Sequence, residues 1–417
     1  MKEFLELIKN KNFVRLWISQ IISQVTLNTL SFLILIRLFE QTGSTIATSF
    51  VWVAYALPAI IVGPIGAVCS DIFNKKKLLM LTNLSQAITI ALLAIFFQKY
   101  IYFSYAAVFI YSFFNQFYVP AEASTLPNIV SKKRLPQANS LFFVTVQSGF
   151  VLGFVFAGIL YDAVGFGTTL FIAAVGLVVA FLTVSGLPSF APLEHIPKDI
   201  EKGVSRFFQE IVEGYKFIKN NKTILFPFAL LIGLQVALSI LVVTIPVIAS
   251  EIVKIRPSIA GIVVGFPAAA GALTGTFFVS KLLSRNTRKR KIIESSIFAL
   301  SISVMLLSDI VPAVNFWIGR SLAVTCFFVT GLAYVGGLIP TITYLQEVTP
   351  KDLLGRVFGN IWFITTVATV IPVLFSATIT EIFGVNLMLT VLGIIGMSVI
   401  FVSKFHQSKF FKAYVKH

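Results

Sequence analysis

The sequence predicts an all-α polytopic membrane protein in which twelve transmembrane helices form two six-helix bundles. Three observations predict this class: the composition is too apolar for an aqueous fold, long apolar segments recur along the chain, and the first half is echoed in the second. Of the 417 residues, 57% are hydrophobic and 12% are charged. A soluble domain carries about 25% charged residues, so part of the solvent of this chain must be lipid.

Long apolar segments follow one another from the first residues to the last. A membrane-spanning helix needs about 20 predominantly apolar residues. Glycine and proline inside several segments are compatible with spanning, because neighbouring helices satisfy the backbone groups that they free. We predict twelve spans, at 13–39, 45–69, 78–98, 102–123, 139–161, 168–187, 223–250, 258–281, 292–310, 314–345, 357–381 and 387–404.

Lysine and arginine are distributed unevenly between the spans. With the N-terminus inside, 28 of the 33 basic residues fall on the inner side, and the exceptions are Arg37, Lys99, Lys254, Arg256 and Arg320. Loops rich in Lys and Arg stay in the cytoplasm, so we expect a multi-pass protein of the cell membrane with both termini cytoplasmic. Basic residues in short islands also argue against a nucleic-acid partner, which requires them clustered on one soluble face.

An internal repeat relates the two halves of the chain. IKN at 8–10 returns at 218–220, and the segment that starts at Pro120 is echoed from Pro340. A period of about half the chain predicts two halves of the same orientation. The predicted domains are an N-terminal six-helix bundle at 1–187, a cytoplasmic linker with an amphipathic helix at 188–222, and a C-terminal six-helix bundle with a short cytoplasmic tail at 223–417.

The linker carries apolar residues at helical spacing with charged residues between them. This pattern predicts an amphipathic helix along the inner leaflet, although a helical segment that merely connects the halves is equally compatible. The apolar positions are Ile200, Val204, Phe207, Phe208, Ile211, Val212, Tyr215 and Ile218.

SDIFNKKKLLML, residues 70–81, places one aspartate and three lysines between two apolar runs. It resembles the loop motif of the major facilitator superfamily, with Asp71 at the aspartate position and Lys75, Lys76 and Lys77 at the basic positions. The stretches NKNFVRLWISQIISQ, YVPAEASTLPNIV and GRVFGN are similar to the branch of that superfamily that contains macrolide-efflux proteins and siderophore exporters. The sequence departs from the loop motif at Ala67, Ile72 and Asn74.

The resemblance implies the major facilitator fold and a gating role for this loop. Asp71 would face the positive N-terminal end of span eleven, near Arg356, and act as a latch that breaks on inward opening. The alternative is that the lysines only fix the topology and Asp71 is solvated.

Polar residues inside spans are costly in lipid and are candidate site residues. Gln20, Gln24 and Asn28 form one stripe along span one, and Gln235 and Ser239 occupy the matching place in span seven. These residues are candidates to line a substrate cavity, although interhelical hydrogen bonds would also explain them. The further cavity candidates are Asn115, Gln116, Gln147, Asn360 and Trp362.

GFVLGFVFAG, residues 149–158, contains glycines that permit close helix packing at Gly149, Gly153 and Gly158. The stretch resembles the glycine-proline motif that marks exporters of the superfamily. Phe154 and Ala157 depart from that motif. It therefore favours export only weakly.

Proton coupling usually requires a carboxylate within reach of the cavity. No Asp or Glu lies in the middle of a predicted span, so proton coupling is implied by the family resemblance. The candidate carriers are Glu122, Asp71 and Glu40, all near the membrane faces. Glu40 also lies one turn from Arg37, where the two can pair.

We expect a secondary active exporter of amphiphilic small molecules of the drug, macrolide or siderophore type, working as a proton antiporter with alternating access. An apolar, aromatic-rich interior suits such substrates, and the chain lacks the Gly-Lys dipeptide of a phosphate-binding loop. The alternatives are a lipid or lysolipid transporter or facilitator of the same fold, and a membrane-embedded transferase. The two cysteines and three histidines show no catalytic or metal-ligand spacing, so we expect no enzyme, no cofactor and no metal.

Overall fold

The computed structural model of the chain describes residues 7–96, 102–189, 200–285, 287–350 and 354–405. Inside these ranges the side chains of 71, 133, 200–203, 222–223, 354–356, 358–360, 362 and 402–405 lie outside the description. Every regular element in the described part of the chain is helical, as the composition predicts.

The first four long helices of the described chain each correspond to one predicted span, with ends that differ by a few residues. They are α1 (Lys11–Thr42), α2 (Thr45–Ile72), α3 (Lys75–Phe96) and α4 (Phe103–Ile129). Prolines lie inside α2 and α4, as spanning helices tolerate. Asn74 caps α3, since its Oδ1 accepts from Lys77 N at 3.2 Å. Asn74, one of the three departures from the loop motif, therefore accepts a hydrogen bond from a backbone N–H that has no partner within the helix.

The predicted spans five and six lie in one helical stretch, α5 (Leu135–Ser185). At about 1.5 Å per residue its length would be more than twice that of a membrane core of about 30 Å. Gly165, with φ 80° and ψ 170°, is the one non-helical residue in it. A residue with a Cβ rarely adopts this backbone conformation, so Gly165 divides α5 into the two predicted spans.

The rest of the described chain forms one amphipathic helix and six apolar ones. The amphipathic helix is α6 (Ile200–Asn220), followed by α7 (Lys222–Val247), α8 (Phe266–Ser284), α9 (Lys289–Met305), α10 (Phe316–Val348), α11 (Leu354–Phe383) and α12 (Val385–Phe405). Single π-helical turns, at Ile248–Ile252, Gly261–Gly265 and Leu306–Ile310, lie beside α7, α8 and α9. The described residues of all twelve predicted spans thus fall mainly on helices.

The chain forms two compact units. Unit 1 comprises Met1–Gln41 and Phe50–Phe208, and unit 2 comprises Thr42–Ser49 and Gln209–His417. In unit 1, α3 packs on α4 and α5. In unit 2, α10 packs on α7, α8 and α9, while α12 packs on α9 and α11.

Nine helices in the described ranges are long and apolar enough to cross a membrane. Large apolar side chains are exposed along them, for example Ile61, Phe143, Phe277 and Ile371. In water such a surface would be costly, whereas lipid tails solvate it. The structure is therefore that of a multi-pass membrane protein.

Candidate functional site: buried polar contacts in the two units

Unit 1 buries a chain of four hydrogen-bonded polar side chains. Glu122 of α4 is 6% exposed, and its Oε1 accepts a hydrogen bond from the Tyr118 hydroxyl at 3.0 Å. The Tyr118 hydroxyl lies 3.2 Å from Ser19 Oγ of α1, and Asn83 Nδ2 of α3 donates to the same Ser19 oxygen at 3.2 Å. Tyr118, Ser19 and Asn83 are all fully buried. These hydrogen bonds thus connect α1, α3 and α4 and end at one acidic side chain.

Apolar side chains surround this polar chain. Tyr118 belongs to a buried cluster that includes Phe13, Leu16, Leu79 and Phe142. Within the described ranges Tyr118 is the one polar partner of Glu122, which makes no ion pair there. Of the acidic side chains whose burial the structure describes, Glu122 alone is buried. The single hydrogen bond from Tyr118 offsets only part of the hydration that an ionised carboxylate would lose.

The polar stripe of α1 faces the glycines of α5. An added Cβ at Gly149 would lie 2.8 Å from Gln24 Cβ, and one at Gly153 would lie 2.5 Å from Asn28 Cβ and 2.9 Å from Thr29 N. Thr29 Oγ1 also donates to Gly153 O at 3.1 Å. The two backbones approach this closely because both positions on α5 lack a side chain.

Amide groups on the stripe remain partly available. Gln20 is buried and donates from Nε2 to Phe142 O at 3.4 Å, but its Oε1 has no hydrogen-bond partner in the described residues. Gln24 and Asn28 are half-buried, and Asn28 Nδ2 donates to Gln24 O at 2.8 Å. The stripe therefore combines helix packing with amide oxygens that can still accept a hydrogen bond.

The other candidates on α4 contact α2. Ser112 Oγ donates to Tyr55 O at 2.7 Å, and Asn115 is buried on the same helix. Gln116 Nε2 donates to Ser112 O at 3.2 Å. An added Cβ at Gly66 would lie 2.0 Å from Gln116 O, so this part of α4 lies directly against α2.

In unit 2, α7 and α10 share a smaller polar contact. The Tyr334 hydroxyl donates to Gln235 Oε1, and Ser239 Oγ donates to Gln235 O at 2.9 Å. Gln235 is half-buried and Ser239 is buried. The two predicted residues of span seven therefore lie together, with a tyrosine from α10 beside them.

The remaining candidates are dispersed. Gln147 is exposed, Gly158 is buried, and Lys75 is buried while Lys77 is exposed. Lys76 is half-buried. The side chains of Asp71, Arg356, Asn360 and Trp362 lie outside the described residues.

Glu40 is exposed at the end of α1 and accepts a hydrogen bond from the Tyr161 hydroxyl of α5. Arg37, which the sequence places one turn away, has its guanidinium carbon 5.5 Å from the centroid of the Phe166 ring. Glu40 is therefore held at the surface of unit 1, in contrast to the buried Glu122.

Sequence reasoning missed four partners of the candidates: Tyr118, Ser19, Asn83 and Tyr334. Tyr118 precedes Glu122 by four residues, a spacing at which helical side chains meet, so this pair was open to prediction. Ser19, Asn83 and Tyr334 come from other helices, and only the packing of those helices brings them to their partners.

No group of His, Cys, Asp and Glu residues suited to a metal ion occurs in the described part of the chain. Cys69 and Cys326 are free and buried. The polar chain around Glu122 can therefore bind protons and hydrogen-bonding groups, and it offers no set of metal ligands.

The sequence profile of the Major Facilitator Superfamily matches residues 16–373. Macrolide efflux protein A of Streptococcus pyogenes is 26% identical over 388 residues, which cover 90% of each chain. The enterobactin exporter EntS of Escherichia coli O1:K1 / APEC is 26% identical over 354 residues, covering 83% of this chain and 80% of the exporter.

The fold is similar to that of solved transporters. A bacterial homologue of the human lysosomal transporter Spinster, crystallised in an inward-facing and unoccupied conformation, superposes with a TM-score of 0.73 at 14% identity. The superposition covers 97% of this chain and 98% of that one. At this identity the likeness shows the shared twelve-helix fold.

Proposed function

The chain belongs to the Major Facilitator Superfamily, and from that premise we propose that this membrane transporter exports amphiphilic small molecules in exchange for protons. The observation that carries the proposal is the likeness to macrolide efflux protein A, which extends over 90% of both chains. The likeness to an enterobactin exporter supports the same direction of transport. The protein works in the cell membrane with both termini cytoplasmic, as its basic residues favour.

Neutral polar side chains on otherwise apolar helices suggest the proposed class of substrate. Gln20, Gln24 and Asn28 on α1 and Gln235 and Ser239 on α7 offer hydrogen bonds without a fixed charge. Such groups suit uncharged or weakly cationic substrates with a large apolar surface. Asn115, Gln116, Gln147, Asn360 and Trp362 complete the proposed lining, while Asp71, Lys75, Lys76, Lys77 and Arg356 form the proposed gate.

Proton coupling is supported by the burial of Glu122, which distinguishes it from Glu40. One proton crossing a potential of about 100 mV releases about 2.3 kcal/mol. That free energy corresponds to roughly 50-fold accumulation of a substrate exchanged for one proton, since each factor of ten requires about 1.36 kcal/mol. A carboxyl group that is exposed in every conformation would gain and lose its proton whether or not substrate is bound. A buried group is therefore better suited to coupling.

The test is uptake into energised inverted membrane vesicles that contain the protein. The probes are radiolabelled erythromycin, rhodamine 6G and iron-free enterobactin, each measured with and without a protonophore. We expect at least one probe to accumulate and its accumulation to collapse when the protonophore is added. Vesicles from cells without the protein are the matched control.

Two results would contradict the proposal. Accumulation that the protonophore does not change would contradict proton antiport. A facilitator of the same fold would then be the remaining interpretation. If none of the three probes moves but a fluorescent lysolipid is transferred between leaflets, the substrate is a lipid and the exporter proposal is wrong.

A further inference from the structure

We propose that Glu122 is the proton-binding residue of this transporter and that Tyr118 and Ser19 link its protonation to α1. This inference rests on the proposed antiport and names the site at which the proton is carried. It is drawn from the geometry of four side chains on three helices of unit 1.

The first step concerns the depth of the site. Glu122 lies seven residues before the end of α4, and Ser19 and Asn83 each lie eight residues after the start of α1 and α3. At about 1.5 Å per residue, all three are about 10–12 Å from the ends of their helices. The carboxyl group therefore sits within the helical part of unit 1 and not on a connecting loop.

The second step concerns charge. The basic residues at the adjoining ends of the elements of unit 1 are Lys11 and Arg15 on α1, Lys75, Lys76 and Lys77 on α3, and Lys132, Lys133 and Arg134 before α5. The side chain of Lys133 lies outside the description, and none of the other side chains forms an ion pair with Glu122. The guanidinium of Arg15 donates to Gly186 O instead. Among the side chains that the structure describes, Tyr118 is the one titratable group in polar contact with Glu122. In these surroundings the carboxyl group keeps its buried position by holding a proton, and it releases the proton when water reaches it.

The third step concerns the direction of the hydrogen bonds. Asn83 Nδ2 donates to Ser19 Oγ, and Tyr118 donates to Glu122 Oε1. The chain is complete when Ser19 donates to the Tyr118 hydroxyl, 3.2 Å away, because each hydroxyl then gives one hydrogen bond and accepts one. Oε2 is left free of this chain, and it is the oxygen to which the transported proton binds from water.

The fourth step concerns coupling. Ser19 directly precedes Gln20, the first amide of the proposed substrate stripe on α1. A change in the charge of Glu122 alters the strength of the hydrogen bond that Tyr118 donates to it. The hydrogen bond between Tyr118 and Ser19 changes with it. Protonation on α4 therefore reaches the helix that carries the substrate groups through two hydrogen bonds.

The first experiment needs no substrate. Infrared difference spectra between acid and alkaline pH would be recorded on the full-length protein in liposomes, for wild type, Glu122→Gln and Glu251→Gln. Glu251 is an exposed glutamate in the π-helical turn that follows α7 and serves as the matched control. We expect the band of a buried protonated carboxyl group to be present in wild type and Glu251→Gln and absent from Glu122→Gln; the same band in all three would overturn the assignment.

The second experiment separates transport from coupling, using the probe that wild type accumulates. In Glu122→Gln we expect gradient-driven accumulation to fall to the protonophore level while exchange of labelled for unlabelled probe at equal pH continues. Preserved exchange also shows that the variant is folded. In Tyr118→Phe and Ser19→Ala we expect reduced accumulation with exchange intact, whereas Tyr102→Phe, which alters an exposed tyrosine before α4, should behave as wild type.

The two proposals fail in different ways. If wild type shows protonophore-sensitive accumulation and Glu122→Gln shows the same, the proton is carried elsewhere and the antiport stands. If wild type itself shows no such accumulation, the antiport is wrong and the present inference falls with it. If Tyr118→Phe and Ser19→Ala accumulate the probe as wild type does, the link to α1 is wrong even where Glu122 binds the proton.

Discussion

The sequence repeat predicts one backbone plan for the two units, yet the units bury different chemistry. Gly165 of unit 1 and Gly384 of unit 2 have φ values of 80° and 86° and lie 219 residues apart in the chain, where the repeat places them. In the repeated segment that starts at Pro120 and Pro340, however, Glu122 corresponds to Ile342. Ile342 packs against an apolar cluster of unit 2, whereas Glu122 ends a polar chain. In the described residues the two glycines thus share a positive φ, while a buried acid is found in unit 1 and not in unit 2.

The largest expected effect comes from removing the acid at Glu122 and from placing an acid at Ile342 instead. Glu122→Gln should abolish the roughly 50-fold accumulation that one proton at about 100 mV can drive, as argued above. The double variant Glu122→Gln/Ile342→Glu restores the number of acids, but no tyrosine stands one turn before Ile342, where the sequence has Leu338. We expect no recovery of accumulation in the vesicle assay, with exchange as the measure of folding. Recovery would show that coupling needs an acid in either half and would break the comparison.

The second effect concerns the closest backbone contacts. In unit 2 an added Cβ at Gly331 would lie 1.8 Å from Ala268 O, and in unit 1 one at Gly66 would lie 2.0 Å from Gln116 O. Since backbone must shift to accept the methyl group, Gly331→Ala and Gly66→Ala should each cost about 3 kcal/mol. A lower melting temperature in detergent is the measurement. Gly233→Ala is the control, because nothing lies within 4 Å of its added Cβ, and an equal loss there would remove the steric explanation.

The third effect tests the shared plan directly. No atom lies within 4 Å of the Cβ that alanine would add at Gly165 or Gly384, so their substitution probes the backbone conformation alone. Gly165→Ala and Gly384→Ala should each cost about 1–2 kcal/mol, and the two shifts in melting temperature should be similar. A large shift at one position and none at the other would mean that the two turns are not equivalent.

The smallest effect concerns the polar contact of unit 2. Tyr334→Phe removes the hydrogen bond to Gln235 Oε1, and single interhelical hydrogen bonds in membranes average about 0.6 kcal/mol. We expect a small loss of stability and a change in probe affinity, measured by exchange at several probe concentrations, with protonophore sensitivity unchanged. Uncoupled transport in this variant would place part of the proton pathway in unit 2.

The sequence predicted the helices well because their signal is local. Apolar length defines every span, and short breaks such as 70–77 and 162–167 separate one predicted span from the next. The division of α5 illustrates this, since the predicted break between spans five and six, 162–167, contains Gly165, which carries the non-helical backbone in the structure. The resemblance to the superfamily was also visible in short motifs, such as the loop at 70–81.

The candidate site was only partly predictable, because its contacts are not local. The α1 stripe was visible as a periodic pattern, but no pattern shows that Gly149 and Gly153 lie against Gln24 and Asn28. Glu122 was recognised as an acid near a membrane face. Its burial and its connection to Ser19 and Asn83 depend on how three helices pack, which one sequence does not encode in any short motif.

The most direct test of the account is the number of protons that the purified protein releases when it binds the accumulated probe in weakly buffered detergent solution. Wild type and Glu122→Gln would be compared at equal probe occupancy, with a pH-sensitive dye as the readout and Glu251→Gln as control. We predict proton release by wild type and by the control, and none by Glu122→Gln. Equal release by all three would contradict the claim that the proton is carried in unit 1 at Glu122.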